Sequence, residues 1–550
     1  MSCLHHVIDR APRPVRSSVL GLILAATWAC SPEPDSDTSN ETTSSVNETA
    51  EPWEPWCTEP AEEAAYVDVG TDWGILDTQD GLPERFEHNP VAMADLDGDG
   101  DDDLLIALRE GGLYFQRNQG DHFEQEWVGA ARLTTSIALA DVDSDRDLDV
   151  VIAGWDSRVR LLLNDGFGGF TDATDGAGLG AVVTEGAVRH AVFGDLNGDG
   201  ALDLYLTLAT PHNDPREGTL DRLLLGDGAG RLEDISDSID ASLRTCLGWA
   251  SVFVDIDLDG DQDLYTVCSE QSIHGPSRLL RNDGVDSDGQ LLLTDLSEDC
   301  GCAWTGNPMG ASVADFDEDL LPDFYITNTG PSQLLLNLGD ETYADAAVAL
   351  GASTLTDPAA MTYGAAVYDF DNDGWQDILT ASGPLHGDQP IASQPAEQPD
   401  VLLRGSAEGF KDISAAQGVD DAAAGRGVAV GLLDDDGMLE AVVTHLDAPT
   451  RVFRSDCTAN RALVVDLVGQ APNTFGVGAR VELRLGERTL VRDITANAGW
   501  GSSIHPRAHF GLGREPVESL VVQWPSGIRQ SVDVGRWVDG RVSVEEPTAE

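Results

Sequence analysis

The stretch Ala94-Asp95-Leu96-Asp97-Gly98-Asp99-Gly100-Asp101-Asp102-Asp103-Leu104-Leu105-Ile106-Ala107-Leu108 sets aspartates at alternate positions, follows them with a glycine, and adds a further aspartate that opens an apolar run. Counting from Asp95, the acids stand at the first, third, fifth and ninth positions, as Asp95, Asp97, Asp99 and Asp103. The pattern returns as Asp141, Asp143, Asp145 and Asp149, then as Asp195, Asn197, Asp199 and Asp203. Three more copies are Asp255, Asp257, Asp259 and Asp263; Asp315, Asp317, Asp319 and Asp323; and Asp369, Asp371, Asp373 and Asp377. Alternate carboxylates in a tight loop converge on one point, and so many like charges repel one another unless a hard cation lies among them. The repeat therefore predicts about six Ca²⁺ loops, with the seventh position adding a backbone carbonyl.

An EF-hand shares the early ligand positions but needs a bidentate Glu at the twelfth, between two helices. Here the twelfth position holds Ile106, Ile152, Leu206, Thr266, Ile326 and Thr380. None can ligate as that Glu does, and each lies in a strand-like run. These are loops between β-strands. An acidic disordered linker would not keep ligand spacing in step with flanking apolar runs.

The first aspartates are 46, 54, 60, 60 and 54 residues apart, and periods of this size mark a propeller, solenoid or array. A second signature trails each loop: an apolar strand, a Gly-rich turn, then an apolar residue and an acid. Examples are Leu161-Leu162-Leu163-Asn164 to Phe170-Thr171-Asp172, Leu279-Leu280-Arg281-Asn282 to Thr294-Asp295, and Leu334-Leu335-Leu336-Asn337 to Tyr343-Ala344-Asp345. Four strands per repeat is the make-up of a propeller blade. A seventh, altered copy runs Gly431-Leu432-Leu433-Asp434-Asp435-Asp436-Gly437-Met438-Leu439-Glu440, with Leu432 at the first position and Glu440 at the ninth. The expectation is an all-β, seven-bladed propeller in which Tyr66-Val67-Asp68-Val69 returns to complete the last blade and leaves no long open edge.

These loops resemble the FG-GAP/VCBS repeats of integrin α-subunit propellers and of many secreted bacterial proteins. Further on, Asn460-Arg461-Ala462-Leu463-Val464-Val465-Asp466-Leu467, Gly476-Val477-Gly478-Ala479-Arg480-Val481, His509-Phe510-Gly511-Leu512-Gly513 and Trp524-Pro525-Ser526-Gly527 resemble the ASPIC/UnbV domain. That domain follows such propellers in the cartilage acidic protein-like family, and the resemblance covers roughly residues 61 to 545. It implies an extracytoplasmic, calcium-binding propeller over residues 61–457 and a small β domain over 458–550, and it implies no particular reaction. Loops two and five depart from the pattern, with Arg146 and Leu320 where glycine normally supplies a left-handed backbone. Weaker calcium sites are expected there, whereas Asn197 keeps an oxygen ligand.

Arg10, Arg13 and Arg16 precede the apolar run Val19-Leu20-Gly21-Leu22-Ile23-Leu24-Ala25-Ala26, too short for a membrane span and suited to a secretory signal over residues 1–29. Thr27-Trp28-Ala29-Cys30 is lipobox-like and makes Cys30 a lipidation candidate, with plain cleavage after Ala29 as the alternative. Residues 30–60 are rich in Ser, Thr, Asn, Glu and Pro and read as a flexible tether. The chain is thus expected to be exported to a bacterial envelope or surface, or secreted, and to meet a membrane only through that lipid.

A formal net charge of −65, with 32 Lys plus Arg against 97 Asp plus Glu, excludes nucleic acid as a partner, because phosphate binding needs basic patches. An exported chain with 8 cysteines favours disulfides. With Cys3 lost in the signal and Cys30 lipidated, Cys57 and Cys457 are the candidate pair, since one precedes the closing strand and the other ends the last blade. The pairing of Cys246, Cys268, Cys300 and Cys302 stays open.

No G-x-S-x-G, H-E-x-x-H or Walker loop is present. Pro506 between His505 and His509 argues against a helical metal pair. Gly226-Asp227-Gly228-Ala229-Gly230 joins two strands and reads as a hairpin turn. Trp155, Trp249, Trp304 and Trp375 fit blade packing or a carbohydrate-binding face. Nearly every clustered acid is taken by metal ligation, so the reading is a non-enzymatic, calcium-stabilised binding or adhesion module for a protein or glycan. The alternative is a polysaccharide-acting enzyme with paired carboxylates.

Overall fold

In the computed structural model, which describes residues 42–44, 65–75, 89–108, 111–131, 133–156, 158–182, 186–209, 220–244, 248–268, 276–303, 306–355, 357–385, 395, 397–434, 436–446, 448–455, 458–496, 499–533 and 540–548, each aspartate loop joins two antiparallel strands. The register is the same every time: the residue before the first loop position pairs with the ninth. The pairs are Ala94 with Asp103, Ala140 with Asp149, Gly194 with Asp203, Val254 with Asp263, Ala314 with Asp323 and Tyr368 with Asp377. The altered seventh copy follows suit, with Gly431 opposite Glu440.

A third and a fourth strand extend each pair. In the second sheet the order is Thr134–Ala140, Asp149–Gly154, Val159–Asn164 and Phe170–Asp172, all antiparallel. The described residues form seven such small sheets. The fourth strand of the last comes from far upstream, as Tyr66–Asp68 pairs antiparallel with Arg451–Ser455. The first strands of the sheets, Val91–Ala94, Thr134–Ala140, Ala187–Gly194, Gly248–Val254, Pro308–Ala314, Thr362–Tyr368 and Gly425–Gly431, touch one another in that order, and the last touches the first. Within a sheet burial falls from the inside outward: Thr134–Ala140 is wholly buried, whereas Phe170–Asp172 is partly or fully exposed. The apolar runs of the second strands are therefore continuous, because both of their faces pack against neighbouring sheets.

Beyond residue 458 the chain forms a separate core of Leu463, Val481, Leu483, Phe510, Trp524 and their neighbours. One sheet holds Arg480–Leu485, Arg488–Asp493, Val517–Gln523 and Arg529–Val532; the other holds Arg461–Val468, Arg507–Gly513 and Gly540–Glu545. Thr42–Ser44, from the segment expected to be a tether, adds a parallel edge strand against Arg529–Val532. Cys300 and Cys302 are joined in a disulfide with their Cα atoms 5.1 Å apart, and Cys268 is also disulfide-bonded. Cys30, Cys57, Cys246, Cys457 and Trp304 lie outside the described residues.

Asparagines in several third strands stitch neighbouring sheets together. Asn164 Nδ2 donates to Leu96 O at 2.8 Å and Leu148 O at 3.3 Å, and Asn282 Nδ2 to Leu196 O at 2.7 Å and Gln262 O at 3.2 Å. In each case one carbonyl belongs to the second position of a preceding sheet's loop and the other to the eighth position of the residue's own loop. Asn118 does the same across the closure of the ring, bonding Leu433 O at 2.8 Å and Asp102 O at 3.2 Å. A buried carbonyl deprived of its donor carries an uncompensated desolvation cost. Asn282→Ala is expected to destabilise the protein by about 2 kcal/mol in urea unfolding, whereas Phe167→Ser, at a side chain 77% exposed, leaves the midpoint unchanged.

Candidate functional site

The loops draw their acids together through bonds to their own backbone. The sixth residue's N–H donates to the first carboxylate: Gly100 to Asp95 at 3.1 Å, Arg146 to Asp141 at 2.9 Å, Gly200 to Asp195 at 2.9 Å, Gly260 to Asp255 at 2.9 Å, Leu320 to Asp315 at 3.1 Å and Gly374 to Asp369 at 2.6 Å. The seventh residue's N–H caps the fifth carboxylate, as Asp101 does to Asp99 at 3.1 Å. This winding needs a left-handed backbone at the sixth position, and Arg146 (φ 78°) and Leu320 (φ 72°) adopt it without being glycine. The fourth position is left-handed as well, at Gly98, Ser144, Gly198, Leu258, Glu318 and Asn372. Only two of those six are glycine, which concealed the requirement from a reading of the sequence.

Ligand oxygens come within 4.8 Å of one another in Asp95, Asp97 and Asp99 and in Asp255, Asp257 and Asp259. In loops two, five and six the sets so joined are Asp141, Asp143 and Asp149; Asp315, Asp317 and Asp323; and Asp369, Asp371 and Asp377. Loop three has an amide in its set, and Asn197 Nδ2 donates to Asp199 Oδ2 at 2.9 Å.

The ninth carboxylate has a further task that its spacing did not disclose. Asp263 accepts the Ile256 N–H at 2.8 Å and the Asn282 N–H at 2.7 Å, which ties its loop to the third strand. Asp103, Asp149, Asp203, Asp323 and Asp377 accept the equivalent pairs of N–H groups. In the seventh copy Glu440 keeps the loop half of this, accepting from Leu433 N at 2.8 Å.

Burial pushes Asp103, Asp149, Asp263 and Asp323 up to about 8 and Asp203 to about 7, against these hydrogen bonds. Burial, aided by neighbouring carboxylates, also raises Asp315 to about 7, Asp371 to about 6, and Asp369 well above the ordinary range. Each loop thus holds carboxyls that resist ionising until a positive charge joins them. Buried oxygens without any hydrogen-bond partner, Asp143 Oδ1, Asp195 Oδ1, Asp315 Oδ1 and Asp371 Oδ1, are the acceptors a hard cation takes. The donor set, all oxygen and mostly anionic, fits calcium.

Part of that charge is supplied by arginines at the ends of third strands. Arg117 pairs with Asp97, Arg404 with Asp371 at 2.6 Å and Asp373 at 3.0 Å, and Arg454 with Asp434 at 2.6 Å. In the seventh copy, where Leu432 replaces the first ligand, Arg454 balances the third-position carboxylate.

The remaining candidates are structural. His509 is buried with Nε2 at 3.4 Å from Gly437 O, and burial drives it down to about 3. His505 packs edge-on to Phe475, its pKa likewise lowered by burial. Trp249 is covered by the Arg189 guanidinium 3.3 Å from its ring centre, with Trp155 also against that guanidinium, and Trp375 lies beneath Arg488. Gly226–Gly230 joins Arg222–Gly226 to Leu232–Asp234 as a hairpin turn.

The C-terminal domain covers the loop face. Gly513 N–H donates to Asn372 O at 2.7 Å, and a Cβ at Gly511 would overlap the Asp369 carboxylate. The glycine of His509-Phe510-Gly511-Leu512-Gly513 is thus required by contact with loop six.

A ring of four-stranded sheets with acid loops on one face, covered by a β domain, defines a repeat propeller with a C-terminal cap. The repeats match the FG-GAP-like repeat at residues 95–152, 141–206 and 315–380, and the cap matches ASPIC and UnbV at residues 469–550. The chain thus carries FG-GAP-like repeats followed by an ASPIC and UnbV domain. It is 25% identical to cartilage acidic protein 1 of Homo sapiens over 470 residues, covering 72% of this chain and 69% of that one. The Xenopus tropicalis protein of the same name is 24% identical over 468 residues, covering 72% and 71%. Among solved structures, an Agrocybe aegerita lectin that recognises non-reducing terminal N-acetylglucosamine is similar at 16% identity and a TM-score of 0.37, covering 70% of this chain and 87% of that one. BBS1N in complex with ARL6DN is similar at 9% identity and a TM-score of 0.41, covering 72% and 97%.

A left-handed backbone at a residue with a side chain costs about 1 kcal/mol or more relative to glycine. Leu320→Gly is accordingly expected to raise the melting temperature by a few degrees. Gly260→Leu, the reverse change at the equivalent place in loop four, should lower it.

Proposed function

We propose that the chain is an extracytoplasmic, calcium-stabilised binding module without catalytic activity, whose acid loops are structural Ca²⁺ sites. The observation that carries this reading is the set of buried, unpartnered carboxylate oxygens in loops two, three, five and six. They stand within loops whose carboxyls burial holds above their ordinary range. Calcium would supply the charge that lets these acids ionise together, and the residues to hold it are those at the first, third, fifth and ninth positions of loops one to six, aspartates throughout except for Asn197. The acids so engaged, and the ninth-position groups committed to backbone N–H donors, are unsuited to acid–base work. That favours recognition of a protein or glycan over hydrolysis.

Ions that bind only the folded chain stabilise it by mass action. Excess EGTA is therefore expected to lower the melting temperature by ten degrees or so, as for a loss of several kcal/mol, and restored Ca²⁺ to reverse the shift. Asp97→Ala and Asp371→Ala should each lose about one bound ion, whereas Asp434→Ala, in the copy that Arg454 already balances, loses none. A calcium-free protein with an unaltered melt, or equal ion losses in all three variants, would sink the reading.

The amino end supports export, with a basic region, a short apolar run and Cys30 in sequence. No helix of the described residues is long and apolar enough to cross a membrane. With lipid on Cys30, the acidic stretch of about eleven residues between it and the edge strand Thr42–Ser44 would be a spacer reaching about 18 Å by flexible-chain scaling. Cys30→Ser is expected to abolish labelling by a clickable fatty acid and move the protein to the soluble fraction. A wild-type protein that is already soluble and unlabelled would point to plain cleavage after Ala29.

A further inference from the structure

Contacts between the C-terminal domain and the acid loops repeat one another. Arg541 Nη1 donates to Gly100 O at 2.9 Å, Arg488 Nη2 donates to Gly374 O at 2.9 Å, and Arg480 Nη2 donates to Leu320 O. All three acceptors are the carbonyl of the sixth loop position, in loops one, six and five. The N–H of the same residue closes on the first carboxylate. The direction of that carbonyl is thus set by the closure that gathers the acids. Asn460 Nδ2 reads a further carbonyl, Asp371 O, at 2.8 Å, and Thr474 Oγ1 bonds Asp141 Oδ2 directly.

Beyond this grip, residues 499–504 run into the centre of the ring. Ser503 and Ile504 pair in parallel with Ala92 and Met93 of the first sheet. Gly501 O accepts the Ile137 N–H at 2.9 Å and Ser503 Oγ the Leu139 N–H at 3.2 Å, both from the second sheet. Trp500, 2% exposed, lies 4.9 Å from the Tyr363 ring of the sixth sheet. Gly310 and Gly427, in the first strands of the fifth and seventh sheets, leave space for Trp500 Cβ and Ser502 Oγ. The segment therefore plugs the middle of the ring.

We propose that loop occupancy and this plug form a calcium-linked latch: closed loops one, five and six present the carbonyls that hold the C-terminal domain down, and loss of the cation releases the domain and withdraws residues 499–504. The proposal rests on the reading of the loops as calcium sites. Emptied loops lose the positive charge that gathers their acids, open, and turn their sixth-position carbonyls away from Arg480, Arg488 and Arg541. Linkage makes the effect reciprocal, so the docked domain raises the calcium affinity of the same loops by the factor that calcium raises docking.

Arg488 suits a test because Glu318, Gly374 and Trp375, its partners, all belong to loops five and six. Hydrogen exchange of residues 499–504 would be followed in the full chain through a calcium titration, with bound ion counted by competition with a chromophoric chelator. Protection of the segment is expected to fall at calcium levels where Thr134–Ala140 is still protected. Arg488→Gln should need about five-fold more calcium for half protection and bind calcium correspondingly more weakly; a combined Arg480→Gln, Arg488→Gln and Arg541→Gln variant should show a larger shift. The latch is overturned if the segment stays protected after calcium has left, if segment and strand lose protection together, or if Arg488→Gln binds calcium as wild type does. Absence of calcium binding by the folded protein would overturn the loop reading itself, and the latch with it.

Discussion

One buried carboxylate accepting two backbone N–H groups is the interaction on which the propeller rests. Asp263 joins the second residue of its own loop to the third strand, and its counterparts make the equivalent link in the other loops from one to six. It fixes loop, second strand and third strand in one register at the point where the chain reverses. A neutral acid would hold these N–H groups less well than an ionised one, yet burial resists ionisation. On the proposed reading of the loops as calcium sites, positive charge near the carboxylate would strengthen this joint.

On the proposed reading, that charge has two sources around the ring. Loops two, three and five, where Leu163, Leu225 and Leu336 stand at the end of the third strand, have buried carboxylate oxygens with no partner. The seventh loop has no acid at its first position and is instead held by Arg454. Loops one and six have both the full acid set and an arginine, Arg117 or Arg404. A guanidinium is fixed on the chain and cannot leave, whereas an ion responds to its concentration. With calcium in the loops as proposed, the ring would combine permanent and conditional neutralisation, the permanent kind standing where the ligand set has decayed.

The C-terminal domain changes what the propeller can offer a partner. Its residues cover the loop face and fill the centre with Trp500 and Ser503, so neither region is open while it is docked. Arg507 pairs with Asp102 of loop one at 3.0 Å with both groups buried, and Arg492 lies half-buried near Asp369 and Asp315. Several cations of a chain with net charge −65 thus lie where the acid loops face the domain.

Loop positions, strand alternation and the return of Tyr66–Asp68 to the last sheet were legible in the sequence, because ligand spacing and side-chain period are local properties of a chain. The altered loop at Leu432–Glu440 could be aligned for the same reason, and its register proved identical. What tertiary structure alone decided involves partners far apart in the chain. Arg541 meets Gly100 across 441 residues, and Asn118 meets Leu433 across 315. No spacing rule connects such residues. The second task of the ninth carboxylate, the stitching asparagines and the plug at residues 499–504 emerge only once seven sheets close into a ring, since ring closure is what brings distant backbone donors and acceptors within hydrogen-bonding distance.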